Sequence, residues 1–230
     1  MKQLALQLGA SGTSFRAEDY LITAANRQAY HTVMQSEWPA FYALLSGPAG
    51  SGKTHLAMAW ATANHAHYTQ ASILHDAFVS TWQAQPEPLV IDRLETLNEE
   101  KLLFHMLNLA KETGTPVLVS GQSTALQRIM LPDLKSRLAA APQAIVEEPD
   151  DELMRGLFIK HFSDKQLQIS PDILQYLVNH VERSGTAVDQ CVHVIDQQAL
   201  EKKQKISIAF LRKYLQHGKG SVNGFVNKPD

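Results

Sequence analysis

The stretch Gly-Pro-Ala-Gly-Ser-Gly-Lys-Thr at 47–54 has the spacing G-x-x-x-x-G-K-[ST]. Each fixed position has a mechanical task. Gly47, Gly50 and Gly52 let the backbone turn and approach an anion with no Cβ in the way. The loop N–H groups and the start of the following helix form an anion cradle. In such a cradle Lys53 reaches the β- and γ-phosphates of a nucleotide, and the hydroxyl of Thr54 ligates Mg²⁺. The loop's usual companion is an acid at the tip of a later strand, which holds the water shell of the Mg²⁺. "LVIDRLE" offers Asp92 for that task; the alternative is a turn residue closing a strand. A second acid directly after it would polarise the attacking water. The next residue is Arg93, and a cation cannot act as general base. Glu95, two positions beyond Arg93, is a weak substitute.

These groups need a scaffold. "FYALLSG" (41–47) is a short apolar run with aromatics and reads as a buried strand feeding the loop. "KTHLAMAWATANHA" continues from it as a helix starting at Lys53, and "NRQAYHTVMQS" has a helical pattern before it. "PLVIDRLE" (88–95) is strand-like and ends its apolar run at Asp92. In "NEEKLLFHMLNLAKETG" (98–114), Leu102, Leu103, Met106, Leu107 and Ala110 have helical spacing. "TPVLVSG" (115–121) is a third strand and "AIVEE" (144–148) a fourth. Strands alternating with helices imply parallel βαβ units in an open sheet, an α/β fold. From Pro149 the pattern turns all-helical, with Ser170 and Pro171 placed as N-cap and first helical residue of one segment. "SIAFLRKYLQH" is a fourth helix there. The expected organisation is a flexible peptide and linker at 1–14, a nucleotide-binding core at 15–148, a helical satellite at 149–217 and a disordered tail at 218–230.

Composition narrows the function classes. The 230 residues fit one mid-sized domain with a small satellite. A net charge of −2 gives no global attraction to nucleic acid, so any DNA contact would be local or reached through a partner. One cysteine, Cys191, excludes an intrachain disulfide and fits a reducing cytoplasm. No apolar run is long enough to span a membrane. Among the ten histidines, His65 and His67 lack a cysteine or acid partner and read as a solvated helix end. His105 and His193 read as partly buried, hydrogen-bonded helix residues, and Cys191 as core.

Four stretches taken in order, "DYLITAANRQAY", "GPAGSGKTHLAMAWA", "LVIDRLE" and "LPDLKSRL", resemble the AAA+ module of the bacterial initiator DnaA. The likeness spans roughly 15–216 and is greater to the short DnaA-related proteins of the Hda type, regulatory inactivators of DnaA. It implies a three-layer α/β core with a parallel sheet and a small all-helical lid. It also implies that Tyr20, Leu21 and Asn26 help seat adenine, with an ordinary helix start at Asn26 as the alternative. Gly47, Gly50, Ser51, Gly52, Lys53, Thr54 and His55 would contact ADP or ATP, Asp92 would join Thr54 at Mg²⁺, and Ser120 would be the polar sensor at the end of the third strand. Arg137 of "LPDLKSRL" maps to an arginine finger that acts in trans on a neighbour's nucleotide; a surface arginine in an ion pair is the bland alternative. The lid arginine that relatives place on the nucleotide falls here at Thr186 or Ala187, with Arg183 too early. Together with Arg93 and Gly121, this departure implies weak or no intrinsic ATPase activity.

The N-terminal "QLALQL" then acquires a reading. Gln3, Leu4, Leu6 and Leu8 match the clamp-binding peptide of Hda-type proteins, in which alternate leucines enter an apolar pocket. An edge strand folded back on the core is the alternative. The implied partners are the sliding clamp, the β subunit of DNA polymerase III, and DnaA, with DNA reached only through the clamp, no membrane, and a homo-oligomer possible. The competing readings are an autonomous P-loop ATPase or kinase, disfavoured by the wide spacing of Arg155, Arg183 and Arg212, and an AAA+ helicase-loader-like protein, disfavoured by the absence of a basic stripe.

Overall fold

The computed structural model describes residues 19–35 and 37–216. Gln3, Leu4, Leu6 and Leu8, the linker and the tail at 218–230 lie outside the described residues. Five parallel strands form one sheet in the order β2-β3-β4-β1-β5: β1 (Tyr42–Gly47), β2 (His67–Gln70), β3 (Leu89–Asp92), β4 (Val117–Gln122) and β5 (Gln143–Ile145). Parallel neighbours need crossovers, and helices supply them. These are α2 (Lys53–Ala63), α3 (Asp76–Ala84), α4 (Glu100–Thr113), and the pair α5 (Ala125–Arg128) and α6 (Pro132–Ala140). Helix α1 (Arg27–Met34) precedes the sheet.

The period of two along each strand separates the core into two layers. Leu44, Leu89, Ile91, Val117 and Val119 face one cluster with Val79, Trp82, Leu103, Met106, Leu107, Leu134 and Leu138, from α3, α4 and α6. Ala43, Leu45, Val90 and Leu118 face the other with Ala29, Val33, Leu56, Ala57 and Trp60, from α1 and α2. The expected α/β sandwich with a parallel sheet is what the chain forms. A third cluster belongs to the four helices α7 (Asp151–Asp164), α8 (Pro171–His180), α9 (Gly185–Lys202) and α10 (Ile208–Gln216). Its centre is Phe158, Phe162, Leu177, Val188, Cys191 and Ile195, all at most 1 % exposed. Cys191 is core, as expected, and burial pushes its thiol up to about 12.

Several sequence expectations are corrected. The helix after the phosphate loop stops at Ala63, and His65 takes a left-handed turn with φ 52°. His65 is thus the exposed helix end that was expected, just past the C-cap Asn64, but His67 is not: it opens β2, an edge strand so polar that it carries no apolar run. His105 and His193 are exposed, not partly buried. Helical phase explains this, since α4 turns Leu103, Met106 and Leu107 inward and α9 turns Val188, Cys191 and Val192 inward. Strand β3 ends at Asp92; Arg93 follows in the left-handed region with φ 59°, and Leu94–Thr96 form a 3₁₀ turn instead of continuing the strand. Ser170 stands at the N-cap of α8 with Pro171 behind it, but its side chain makes no capping bond.

The all-helical unit depends on its aromatic centre. Phe158→Ala is expected to cost about 3–5 kcal/mol, read as a lowered midpoint in urea denaturation.

Candidate functional site

The phosphate loop leaves the C-terminal end of β1, between β4 and β5, and runs into α2. Gly50 (φ 70°) and Gly52 (φ 95°) take left-handed backbone that a side chain would strain. Gly52 is the last residue before α2, so the helix N-terminus with Lys53, Thr54 and His55 opens onto the loop. Its dipole and first-turn N–H groups favour an anion there. Lys53 is only 9 % exposed and donates from Nζ to the carbonyl of Pro48 at 2.6 Å. Burial lowers its pKa, opposed first by the charge of Glu95 and then by Asp92. The ammonium thus lies folded over its own loop, where a phosphate would replace one carbonyl oxygen with charged acceptors.

Asp92 lies 2 % exposed at the end of β3. Its Oδ2 accepts from the Thr54 hydroxyl at 2.9 Å and from the Tyr68 hydroxyl at 2.7 Å, while Oδ1 accepts from the Arg93 N–H at 2.8 Å. A buried carboxylate must be paired, and this one is held entirely by neutral donors. Burial and the Asp92 charge push the Tyr68 phenol upward. Strand parity puts Asp92, Val90, Ser120 and Leu118 on the α1–α2 face of the sheet, and Ser120 is paired with Leu45 of β1. Thr54 and Asp92 are the oxygen donors suited to a hard divalent cation. The hydroxyls of Ser51, Ser120 and Thr23 are buried without a hydrogen-bond partner. An orphaned buried hydroxyl on the loop itself, Ser51, and one near the end of the adjacent strand, Ser120, fit a polar ligand that completes them. Glu95 takes no part in the strand; its Oε2 accepts from the Gln122 N–H at 3.0 Å, beside Gly121.

The segment before α1 joins core to lid. Asn26 accepts from the Thr23 N–H at 2.9 Å and donates to the Leu21 carbonyl at 2.8 Å, so its amide shapes this turn and does not cap the helix. The ring of Tyr20 lies against Gly52, edge-on to His55 at 5.3 Å and stacked on Tyr30 at 6.0 Å. Leu21 packs on Gly156 of α7, and Lys160 binds Asp19 at 3.3 Å. Asp150 caps α7 through the Leu153 N–H and takes the Ala25 N–H with its other oxygen. Arg183 clamps this same junction through the Pro149 carbonyl and Asp151.

The start of α9 reaches the phosphate loop itself. The Gly185 N–H donates to the Gly50 carbonyl at 2.8 Å, and a Cβ at Gly50 would lie 2.7 Å from Ser184 Cβ and 3.4 Å from the Thr186 hydroxyl. Thr186 thus stands beside the loop, where relatives were expected to carry an arginine.

Arg137 lies elsewhere. Its guanidinium sits over the Phe104 ring, 4.5 Å from the centroid, and donates to Asn108, so α6 is held on α4 by a cation–π contact and not by the ion pair considered as the alternative. It lines a shallow pocket with Tyr42, Lys111 and Asp133. At the head of α6, the Met130 and Leu131 N–H groups donate to the Glu100 carboxylate at 2.9 and 2.6 Å.

Sequence reasoning missed Tyr68 and the Ser184–Gly185 contact. A polar edge strand leaves no periodic signal for the first, although a crossover after α2 required some strand there. The second joins residues far apart in the chain. Among the described residues, no helix is long and apolar enough to cross a membrane, and no cluster of three metal-binding side chains occurs. Gly50→Ala is expected to destabilise the fold by at least about 1–2 kcal/mol through left-handed strain, with Ser184 pushed off the loop; thermal unfolding of wild type and variant measures it.

Residues 151–215 match the family model described as Hda, lid domain. Over 86 % of this chain and 94 % of the other, the structure is similar to domain III of the Thermotoga maritima replication initiation protein DnaA, with a TM-score of 0.74 at 16 % identity. It is similar to AMPPCP-bound DnaA from Aquifex aeolicus with a TM-score of 0.67 at 16 % identity, over 82 % of this chain and 69 % of that one. The Thermotoga maritima RuvB Holliday junction branch migration motor is similar with a TM-score of 0.61 at 20 % identity, over 75 % of this chain and 60 % of that one. Identities this low carry the fold alone, while the lid carries the family-specific match. Residues 151–215 thus match the lid of the Hda family, and the whole has the fold of the DnaA AAA+ domains to which it is similar.

Proposed function

We propose that this chain is a nucleotide-binding regulator of chromosome replication initiation that acts in trans on the ATP-bound initiator DnaA. ADP or ATP is held at 47–55, with Lys53 and the α2 N-terminus on the phosphates and Tyr20, Leu21 and Asn26 shaping the wall beside them. Thr54 and Asp92 hold Mg²⁺, which when bound neutralises phosphate charge. Turnover at this site is weak. Arg93, exposed and in a left-handed turn, offers no carboxylate beside Asp92, and Glu95 is bonded to the Gln122 N–H. The partners are DnaA and the DNA-loaded sliding clamp, the latter bound through Gln3, Leu4, Leu6 and Leu8, all in the cytoplasm.

The observation that carries this reading is the separation of two cationic groups. Lys53 sits at the loop, which starts at Gly47, the last residue of β1. Arg137 shares a pocket with Tyr42, the first residue of β1. Five residue steps of strand are about 17 Å. An arginine at the far end of the strand cannot serve its own phosphates, which supports a target on a partner. A kinase reading has less support: Arg155 is bonded to Gln175 and Arg183 to the core–lid junction, so neither is gathered on an acceptor phosphate.

Hydrolysis of DnaA-bound ATP in the presence of clamp-loaded DNA tests the reading. Wild type is expected to stimulate, and Arg137→Ala to lose the stimulation by about 10³-fold while retaining nucleotide and clamp binding. Stimulation by Arg137→Ala equal to wild type overturns the finger. Deletion of residues 1–8 is expected to abolish clamp binding in a pull-down and leave nucleotide affinity unchanged; loss of both would mean that the peptide is part of the fold.

A further inference from the structure

We propose that Tyr68 is a positioning residue for the Mg²⁺-holding acid: its phenol anchors Asp92 Oδ2, as the Arg93 N–H anchors Oδ1, and so fixes the carboxylate in the orientation that meets Thr54. The inference rests on the nucleotide-binding reading above and concerns a residue to which that reading gives no task.

The register explains how the phenol gets there. In the β2–β3 pair Tyr68 is level with Val90, and Gln70 with Asp92. The residue directly opposite Asp92 is therefore Gln70, yet the bond comes from Tyr68, two residues earlier on the same face. Diagonal neighbours on a sheet face are about 7–8 Å apart, a gap that an aromatic side chain spans. Tyr68 packs against the α1–α2 layer along its flank, which aims its hydroxyl along the sheet at the tip of β3.

The consequence follows from lone-pair arithmetic. A carboxylate offers about four acceptor sites, two on each oxygen. Tyr68 and Thr54 fill both on Oδ2, and the Arg93 N–H takes one on Oδ1. The remaining site is on Oδ1. Thr54 has two tasks, giving its proton to Asp92 and its lone pair to the cation, and both require Oδ2 to stay where it is. The terminal torsion of an aspartate is broad and sets no orientation by itself. The backbone N–H of Arg93 anchors one oxygen and the phenol of Tyr68 the other. With the phenol removed, Thr54 alone holds Oδ2, and the carboxylate plane swings with that hydroxyl.

Binding of a fluorescent ADP analogue to the full chain, in EDTA and in saturating Mg²⁺, tests this. In Tyr68→Phe the Mg²⁺-free affinity is expected to stay within about twofold of wild type, and the gain on adding Mg²⁺ to shrink about tenfold, the weight of one hydrogen bond to a charged group. In an Asp92→Asn background the same change is expected to have no further effect on that gain. An equal loss in both conditions overturns the inference in favour of a packing role, as does an undiminished Mg²⁺ gain. Wild type that binds ADP with no Mg²⁺ gain overturns it and leaves nucleotide binding standing; wild type that binds no nucleotide in either condition overturns both.

Discussion

A carboxylate taken out of water must be surrounded by donors, and the nucleotide end of this molecule is organised around that need at Asp92. Its desolvation would cost several kcal/mol if unanswered. Three donors answer it, and each comes from a different element: the first turn of α2, the edge strand β2 and the turn that ends β3. Arg93 serves the same arrangement twice: its N–H donates to Oδ1, and its left-handed backbone turns the chain away from the sheet. The strand thereby ends where the chemistry begins. What a second acid would have contributed at Arg93 is given up, and Glu95 is turned back to brace Gln122 on the neighbouring strand.

The lid is tied to this end at two levels. Polar contacts to the segment at 19–26 fasten α7 to the core through Asp150 and Lys160, and Arg183 braces the start of α7 through Pro149 and Asp151. Above them the start of α9 touches the loop through one backbone bond, Gly185 to Gly50. The first set is built from side chains around a hinge-like junction; the second is a contact between the loop that would hold phosphate and the longest lid helix. A lid arginine is not needed to bring lid and loop together here, since the backbone does so.

The central strands and the phosphate loop were legible from sequence because each is a short apolar run with glycine punctuation, and buried parallel strands leave that trace. The two faces of α4 and α9 were legible too. The same periodicity already put His105 and His193 on the outer faces, so the error there lay in reading the residue type over the phase. Strand β2 was not legible. Its four residues are polar or amphipathic with no apolar run, and only its neighbour β3 makes it a strand. The roles of Tyr68, Ser184 and Asn26 depend on what lies across from them in space, and no local pattern encodes a diagonal reach or a backbone bond between residues 135 positions apart.

Helix α4 carries one more constraint. Glu100, Phe104 and Asn108 recur every four residues, so they form a single stripe along the helix. The first residue grips the N–H groups ahead of α6, and the other two hold the Arg137 side chain that α6 presents. Inserting or deleting one residue between them would rotate part of the stripe by about 100° and part the anchors from their partners together. Exchange of the solvent-facing residues at constant length leaves all three in place. The stretch from Glu100 to Asn108 is therefore a ruler: its length in residues, more than its outward chemistry, is what must be preserved for Arg137 to keep its address on the surface.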